Sequence, residues 1–257
     1  MPTLIDIATH LDELLRIREI PDYPSALNGV QVESEGEIAG IAAAVDARTR
    51  TITGAIDAGA QLLLVHHGLF WGGLQPLRGA HRRRLALLLE QGMSLYAAHL
   101  PLDAHPELGN NVLLARELGL VPAGTFARFQ TIDIGVRGEA EMETAELVER
   151  ADQFARRYGG TARHTSFLPG RRTRRWAICS GAGADAATIA ESVARGIDTL
   201  IVGEGPHWTA VDADEVGVVV IYAGHYATET LGVQALAAHL SARFNIPWTF
   251  IDVPTGL

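Results

Sequence analysis

Short, continuously apolar segments alternate with amphipathic segments along most of this chain, and this rhythm limits the fold more than any other feature of the sequence. The apolar runs IAGIAAAV (38–45), QLLLV (61–65) and SLYAA (94–98) are typical of buried strands. The segments between them are helix-like and end at Gly59 and Gly92. Strands that are apolar on both faces pair in parallel through helical crossovers. The sequence therefore predicts an α/β fold.

The remaining segments are less regular. A first helix is predicted from Ile5 to Ile17, and residues 131–138 alternate apolar and polar side chains as a half-buried strand does. A second isolated helix is predicted from Thr144 to Tyr158. Residues 161–175 are rich in Arg, Thr, Gly and Pro, which predicts a hairpin or an irregular stretch. The strand–helix–strand rhythm then resumes from residue 176.

The resumed rhythm carries an internal repeat. The segment AIDAGAQLLLVHHG (55–68) aligns with SVARGIDTLIVGEG (192–205), and His67 then falls on Glu204. The identical pairs are Gly59 with Gly196, Leu63 with Leu200, Val65 with Val202, and Gly68 with Gly205. These identities coincide with the same order of strands and helices. We therefore predict an internal duplication that gives two similar α/β lobes.

The first predicted lobe is formed by two separate stretches of the chain, and the second by one continuous stretch. The first lobe is expected to comprise residues 1–119 and 216–257, and the second lobe residues 120–215. The last apolar strand, VGVVVIYAG (216–224), and the helix after it are expected to return to the first lobe.

The composition limits the classes of partner and compartment. The chain has 257 residues with 30 acidic and 21 basic side chains, a formal net charge of −9 that gives no overall attraction to nucleic-acid backbones or anionic membranes. It shows neither a secretory signal nor an apolar run long enough to cross a membrane. The single cysteine, Cys179, cannot form an intrachain disulfide. We expect a soluble, cytoplasmic protein.

A local basic cluster runs against the net charge. Arg171, Arg172, Arg174 and Arg175 lie within five residues of one another. Such a cluster is typical either of a solvated loop face, which we favour, or of a nucleic-acid-binding site.

Histidines and carboxylates follow the predicted strands. Ligand sites in open α/β sheets lie beyond the carboxyl ends of the strands, so residues at these positions are candidates for chemistry. The strand ends carry His66 and His67, then His99, Asp103 and His105, then Glu204 and His207, and finally His225 and Glu229. The histidines at 10, 81, 164 and 239 lie elsewhere and are predicted to be structural or surface residues.

Each of these residues has a simpler explanation. The two adjacent histidines could both be surface residues, and His225 and Glu229 could form an ion pair on one helix face. Asp103 could cap a helix or turn, and Glu204 could cap the helix that follows it. These explanations would be separate for each strand end. A metal site, by contrast, explains with one cause why histidines and carboxylates follow several strands.

Imidazole and carboxylate ligands without a thiolate suit zinc, iron or manganese. One metal ion needs three or four protein ligands. The strongest candidates exceed that number, and they are His66, His67, Asp103, His225 and Glu229. Adjacent histidines readily face two different ions, so the sequence predicts two divalent metal ions per chain.

Five segments of the chain resemble the Nif-three-like family, whose members are often named type 2 GTP cyclohydrolase I homologues. The resemblance covers residues 5–254, and its segments are NGVQVE, VHHGLFW, HLPLDAHPELGNN, GEGPHW and GHYATET. It implies two similar α/β lobes with a dinuclear metal site in the cleft between them, and assembly into a toroidal homohexamer.

The same resemblance assigns roles to the candidate residues. The metal ligands of the family match His66, His67, Asp103, His225 and Glu229. His99, Glu204 and His207 match positions that line the same cleft, and these three are the candidates for catalytic or substrate-binding roles.

Two functions are consistent with such a site. The first is a metal-dependent hydrolase of a small, nucleotide-like molecule, for which a GTP cyclohydrolase reaction is one example. The alternative is a non-catalytic, ring-shaped metal-binding scaffold that binds a protein or single-stranded nucleic acid. The alternative requires the arginine cluster to be available to a partner, with binding that weakens as salt increases.

Overall fold

The structure is a computed structural model that describes residues 1–257 as a mixed α/β chain with two β-sheets. Its helices are α1 (Leu4–Leu14), α2 (Thr49–Asp57), α3 (Gly79–Glu90), α4 (Leu100–Asp103), α5 (Asn110–Glu117), α6 (Thr144–Arg157), α7 (Ala186–Arg195), α8 (His207–Glu215), α9 (His225–Thr228) and α10 (Thr230–Phe244). Its strands are β1 (Gly29–Val32), β2 (Ile41–Asp46), β3 (Leu62–His67), β4 (Ser94–Ala97), β5 (Gly124–Phe129), β6 (Ile132–Glu143), β7 (Arg163–His164), β8 (Arg172–Cys179), β9 (Thr199–Val202), β10 (Val219–Tyr222) and β11 (Trp248–Phe250). None of the helices is long and apolar enough to span a membrane.

The chain divides into two compact units. The first unit contains Met1–His105 and Gly232–Val253, and the second contains Pro106–Leu231 and Pro254–Leu257. The chain thus leaves the first unit at residue 105, earlier than the sequence predicts, and residues 216–231 belong to the second unit.

The first unit has one five-stranded sheet in the order β1-β4-β3-β2-β11. β2, β3, β4 and β11 are parallel, and β1 is an antiparallel edge strand beside β4. Helices α2 and α3 are the crossovers that parallel pairing requires. The apolar side chains of β3 and α2 form a common core, with Leu63, Ile52 and Ala55 fully buried. The predicted parallel α/β arrangement is confirmed here.

The second unit has a six-stranded mixed sheet in the order β5-β6-β8-β9-β10-β7. β8, β9 and β10 are parallel, whereas β5, β6 and β7 are antiparallel to their neighbours. The stretch from residue 161 to 175 is partly regular, because it contains β7 and the start of β8. Trp176 and Ile178 of β8 are fully buried in the core of this unit.

The sequence predicts that the apolar strand at 216–224 returns to the first lobe, and this prediction is wrong. β10 pairs in parallel with β9, with Val219 opposite Thr199 and Tyr222 opposite Val202. The physical reason is local: α8 is a short crossover that brings β10 back beside the strand it has just left. Val220 and Ile221 are buried as a result.

The two units share a frame, which confirms the prediction of two similar α/β lobes. The first unit contains the series β2–α2–β3–α3–β4, and the second contains β8–α7–β9–α8–β10, with three parallel strands in each series. Gly59 and Gly196, which the repeat aligns, follow α2 and α7 with φ of 71° and 65°. This left-handed conformation ends helices at little cost only in glycine, so the aligned glycines have the same structural function.

Candidate metal centre

The first unit brings three histidines together at the carboxyl end of its sheet. His66 and His67 are the last residues of β3, and His99 follows β4. Ligand nitrogens of these three rings lie within 4.8 Å of one another. His66 is fully buried, whereas the side chain of His67 is 19% exposed. β3 and β4 are adjacent parallel strands, so their ends place these rings side by side.

Asp103 joins the same cluster. It is the last residue of the one-turn helix α4, which begins directly after His99. Its Oδ2 atom lies 3.4 Å from Nε2 of His66, and the residue is 7% exposed. The structure therefore brings together four of the residues that the sequence singles out after β3 and β4, namely His66, His67, His99 and Asp103.

Each of the three histidines is oriented through its Nδ1 atom. Nδ1 of His66 donates a hydrogen bond to the backbone carbonyl of Ala98 at 2.9 Å. Nδ1 of His67 lies 3.0 Å from Oδ1 of Asp46, and Nδ1 of His99 lies 2.9 Å from Oδ1 of Asp22. These carbonyl and carboxylate oxygens only accept hydrogen bonds, so Nδ1 carries the proton and the lone pair of a neutral ring is on Nε2. Metal-binding histidines in proteins are held in this way.

The NGVQVE segment begins at Asn28, which connects the loop containing Asp22 to His99. Asp22 also accepts hydrogen bonds from the backbone N–H of Leu100 at 3.0 Å and from the side-chain amide of Asn28 at 2.7 Å. Asn28 in turn accepts a hydrogen bond from the backbone N–H of His99 at 2.7 Å. Burial raises the pKa of Asp22, but the hydrogen bond and charge of His99, together with Asn28 and Tyr23, outweigh it, so the pKa is lowered. Asp22 is thus held as a carboxylate beside His99.

Gln31, from the same NGVQVE segment, supports the chain just after His67. Its Oε1 accepts a hydrogen bond from the backbone N–H of Leu69 at 2.8 Å, and its Nε2 donates to the carbonyls of Ala26 and Leu27. A Cβ atom on Gly68 would lie 2.2 Å from Nε2 of Gln31. Glycine at position 68 therefore allows the amide of Gln31 to fix the turn that follows the paired histidines.

The second unit carries its own histidine and carboxylate pair. Nε2 of His225 lies 3.1 Å from Oε2 of Glu229, and Nδ1 of His225 lies 2.7 Å from Oε1 of Glu204. Glu229 is 3% exposed. Burial lowers the pKa of His225, but the hydrogen bonds and charges of Glu229 and Glu204 outweigh it and raise the pKa to about 9. His225 thus lies between two carboxylates, one at each ring nitrogen.

Two glycines provide the space for this pair. Gly181 has φ of +60°, and a Cβ atom there would lie 2.1 Å from Oε1 of Glu229. A Cβ atom on Gly203 would lie 2.8 Å from Cα of His225 and 2.5 Å from the carbonyl oxygen of Gly181. The side-chain hydroxyl of Thr228 accepts a hydrogen bond from the backbone N–H of Gly181 at 3.0 Å. The backbone of residues 181 and 203 thus packs directly against the functional side chains.

The remaining sequence candidates have different surroundings. His207 is exposed at the first position of α8. Glu204, which follows β9, contacts His225 through its carboxylate. The sequence singles out neither Asp22 nor Asp46. Asp46 directly follows an apolar run, as the other candidates do, whereas Asp22 lies in a loop between two prolines and no local pattern marks it.

Three of the four clustered arginines lie on β8, and Arg171 directly precedes that strand. β8 pairs with β6, which places Arg172 opposite Glu143 and Arg175 opposite Glu139. Arg172 also forms an ion pair with Glu141 at 3.3 Å, and Arg171 donates hydrogen bonds to two backbone carbonyls. The basic residues therefore belong to a patch of mixed charge.

Each unit contains donor atoms that suit a divalent metal ion. They are imidazole nitrogens and carboxylate oxygens at the ends of rigid strands, which suit zinc, iron or manganese. The carboxylates of Asp103 and Glu229 are buried, and a bound cation would offset the cost of burying their charge. These groups could therefore hold a metal ion.

Comparisons with known proteins agree with the sequence resemblance. The profile of the Duf34/NIF3 family (NGG1p interacting factor 3) matches residues 2–256. A Deinococcus radiodurans protein named GTP cyclohydrolase 1 type 2 homolog is 45% identical over 253 residues, which cover 98% of this chain and 94% of that protein. The crystal structure of TTHA1606 from Thermus thermophilus has a TM-score of 0.85 at 40% identity, with both chains fully covered. The structure of protein ybgI, of unknown function, has a TM-score of 0.89 at 34% identity, again over both full chains.

Proposed function

Because this chain belongs to the Duf34/NIF3 family, we propose that it is a metal-dependent hydrolase that acts on a small, nucleotide-like molecule. The proposed centre contains two divalent ions, either zinc, iron or manganese. Its proposed ligands are His66, His67 and Asp103 from the first unit, together with His225 and Glu229 from the second.

The orientation of the histidine rings is the observation that carries this proposal. Nδ1 of His66, His67, His99 and His225 is in each case hydrogen-bonded to a carbonyl or carboxylate oxygen. In both units the opposite ring nitrogen also faces a carboxylate. Nε2 of His66 lies 3.4 Å from Oδ2 of Asp103, and Nε2 of His225 lies 3.1 Å from Oε2 of Glu229. Rings held through Nδ1 present Nε2 in a fixed direction, which reduces the entropy lost when a ligand bond forms.

The residues around the proposed ligands support hydrolysis. Divalent ions in such a site supply Lewis acidity and activate water. His99 is the best-supported residue for proton transfer, because Asp22 holds the proton on Nδ1 and leaves Nε2 to accept one. Glu204 orients His225 and is the second candidate. His207, which is exposed at the start of α8, has no comparable support.

The names of relatives suggest where to look for the substrate. The name GTP cyclohydrolase 1 type 2 homolog makes GTP the first molecule to test. Opening a purine ring requires the addition of water to an electrophilic carbon, which is chemistry that a metal centre assists. We further propose, from the family resemblance, that the chain assembles as a toroidal homohexamer, which native mass spectrometry would measure directly.

Two measurements test the proposed function. Elemental analysis of protein purified without added metal is expected to give about two metal equivalents per chain, as a two-metal site requires, and a lower value in His67→Ala and Glu229→Ala. His164→Ala, which changes an exposed histidine on β7, serves as the matched control and is expected to keep the wild-type metal content.

Activity is measured on the metal-loaded protein with GTP and a panel of nucleotides, esters and dipeptides. We expect turnover by the wild type that is lost in Asp103→Ala and kept in His164→Ala. Equal background turnover in the wild type and Asp103→Ala on every substrate would exclude catalysis on these molecules, even if both ions are present.

A further inference from the structure

Two histidines of the first unit connect α1 to α10. Nε2 of His10, on α1, lies 2.8 Å from Nε2 of His239, on α10. The two ring planes are inclined by 4°, and their centroids lie 5.1 Å apart. The centroids are thus farther apart than the nitrogens by roughly the sum of the two ring radii, so the rings lie end to end in one plane. This is the geometry of a linear N–H···N hydrogen bond and not that of stacked rings.

The two rings of this bond must carry their protons differently. An N–H···N bond needs one nitrogen with a proton and one with a free lone pair. One ring is therefore protonated at Nε2, whereas the neutral ring that accepts the bond carries its proton on Nδ1. Neither Nδ1 atom has a hydrogen-bond partner in the protein, and both remain accessible to water. The pair can therefore exchange protons with the solvent.

The bond between the rings can persist with one added proton but not with two. A first proton binds to the Nδ1 atom of the donor ring, which becomes an imidazolium and donates a stronger hydrogen bond. A second proton must bind to the Nε2 atom that accepts the bond, because the acceptor ring already carries a proton on Nδ1. Two N–H groups and two positive charges would then face each other across 2.8 Å, so the rings must separate.

The surroundings of the pair oppose the second proton. Burial lowers the pKa of His10, and the positive charges of His239 and Arg243 lower it further, whereas the carboxylate of Glu13 has a smaller, opposite effect. Arg243 is the only other charged side chain on α10, and Phe244, whose ring also contacts His10, is apolar.

The other acids of α1 are bound to different partners. Asp6 accepts hydrogen bonds from the hydroxyl and backbone N–H of Thr3, and Asp12 accepts one from the hydroxyl of Tyr96. Of the carboxylates on α1, only that of Glu13 therefore acts on the pair.

We propose that His10 and His239 form a pH-sensitive latch, which holds α1 to α10 while the pair carries at most one added proton and opens when both rings are imidazolium. The pKa of His10 is lowered in the folded protein, so the stability that the latch contributes is complete above about pH 6.5 and is lost as the pH falls through the folded value. The latch does not depend on the proposed function, since neither histidine is a proposed metal ligand.

The test compares the wild type with His10→Gln by hydrogen–deuterium exchange and mass spectrometry of the full-length protein. The amide of glutamine can either donate to or accept from His239 and does not titrate, so this variant keeps the contact at every pH. Measurements at about pH 8 and about pH 5 lie on the two sides of the range in which histidine ordinarily titrates. The ratio of the exchange rate of α1 in the wild type to that in the variant is expected to rise about tenfold on acidification, since one pKa unit changes an equilibrium constant tenfold.

Three further measurements keep this test specific. His239→Gln makes the reciprocal change and is expected to remove the pH dependence in the same way. His164→Gln changes an exposed histidine on β7 and is expected to exchange like the wild type at both pH values. Exchange of α6 in the second unit is expected to be equal in all four proteins, which shows that the variants are folded.

Two results would overturn the proposal. The first is a ratio for α1 that is the same at both pH values in His10→Gln and in His239→Gln. The second is an equal change of the ratio in α6, because acid would then destabilise the whole chain and would not act at the contact between α1 and α10.

Discussion

The two units place a histidine and a carboxylate at equivalent points of the same frame. After the third parallel strand of the first unit, β4, the chain reads HLPLD from His99 to Asp103 and forms the one-turn helix α4. After the third parallel strand of the second unit, β10, it reads HYATE from His225 to Glu229 and forms the one-turn helix α9. The two units thus share the position of a histidine and a carboxylate as well as the order of their strands.

The middle strand of each frame ends differently. β3 ends in His66 and His67, whereas the aligned positions after β9 are Gly203 and Glu204. In the first unit these side chains are proposed ligands. In the second unit the glycine makes room for His225, and the glutamate orients it through Nδ1. One copy of the frame therefore supplies nitrogen donors from its central strand, and the other supplies space and a hydrogen bond.

The largest expected effect follows from the equivalence of the two carboxylates. If Asp103 and Glu229 are both ligands, Asp103→Asn and Glu229→Gln should each weaken metal binding more than the about 10–100-fold that is typical of changes to groups behind the ligands. The two variants keep the size of each side chain and remove only its charge. Metal content after dialysis and competition with a chromophoric chelator measure the loss.

Asp57→Asn is the control for this pair, because Asp57 is exposed at the end of α2. A strong effect of Asp103→Asn together with normal binding by Glu229→Gln would break the comparison. In that case the first unit alone would hold the metal.

The positions of the ligands could be found from the sequence because each directly follows an apolar strand. Asp46 also directly follows an apolar run, at 38–45, so the same criterion would have identified it. Asp22 does not follow such a run, so the criterion does not identify it. Asp22 is 77 residues away from its partner His99 in the sequence, and only the fold brings them together. A side-chain contact between segments that are distant in the sequence leaves no signature in a local pattern.

The misplaced strand β10 has a related cause. Hydrophobic periodicity identifies a strand but does not say which strand it pairs with. The short crossover α8 was the available guide, because a crossover of nine residues returns the chain to the neighbouring position in the same sheet. The duplicated frame becomes complete only when β10 is counted in the second unit.

The second effect concerns the glycine that distinguishes the second unit. Gly203→Ala is expected to lower the free energy of unfolding by about 2–3 kcal/mol, because the new methyl group meets backbone atoms that cannot move freely. Those atoms are the carbonyl oxygen of Gly181 at 2.5 Å and Cα of His225 at 2.8 Å. Urea denaturation monitored by circular dichroism gives the change.

The matched control is Gly40→Ala in the first unit. A Cβ atom there would meet its nearest neighbour, the carbonyl oxygen of Gly59, at 3.5 Å, which is ordinary contact. Its effect on stability should stay within about 1 kcal/mol. Equal stability of the two alanine variants would show that residue 203 is not crowded, and the distinction drawn between the two strand ends would fail.

A smaller effect is expected from the groups that orient the rings. Asp46→Asn keeps an oxygen that accepts the hydrogen bond of His67 but removes its charge, so metal binding should weaken about tenfold. Glu204→Gln makes the same change behind His225. Its effect should be smaller, because the side chain of Glu204 is 42% exposed against 29% for Asp46 and its charge is more screened by water. Chelator competition on the folded variants ranks the two, and the reverse order would contradict this account.

The smallest expected effect concerns Arg172 in the arginine cluster of the second unit, and it separates the hydrolase from the scaffold alternative. Arg172→Ala removes an exposed cross-strand ion pair with Glu141, so the free energy of unfolding should fall by no more than about 0.5–1 kcal/mol. A labelled single-stranded oligonucleotide should show no binding that depends on this residue, because the glutamates of β6 offset the positive charge. Arg195→Ala, which breaks the ion pair with Glu191 on α7, is the control. The opposite result would be binding that is strong at low salt and lost specifically in Arg172→Ala. It would assign the second unit a nucleic-acid partner, because contacts to the phosphate backbone release counterions and therefore weaken as salt increases.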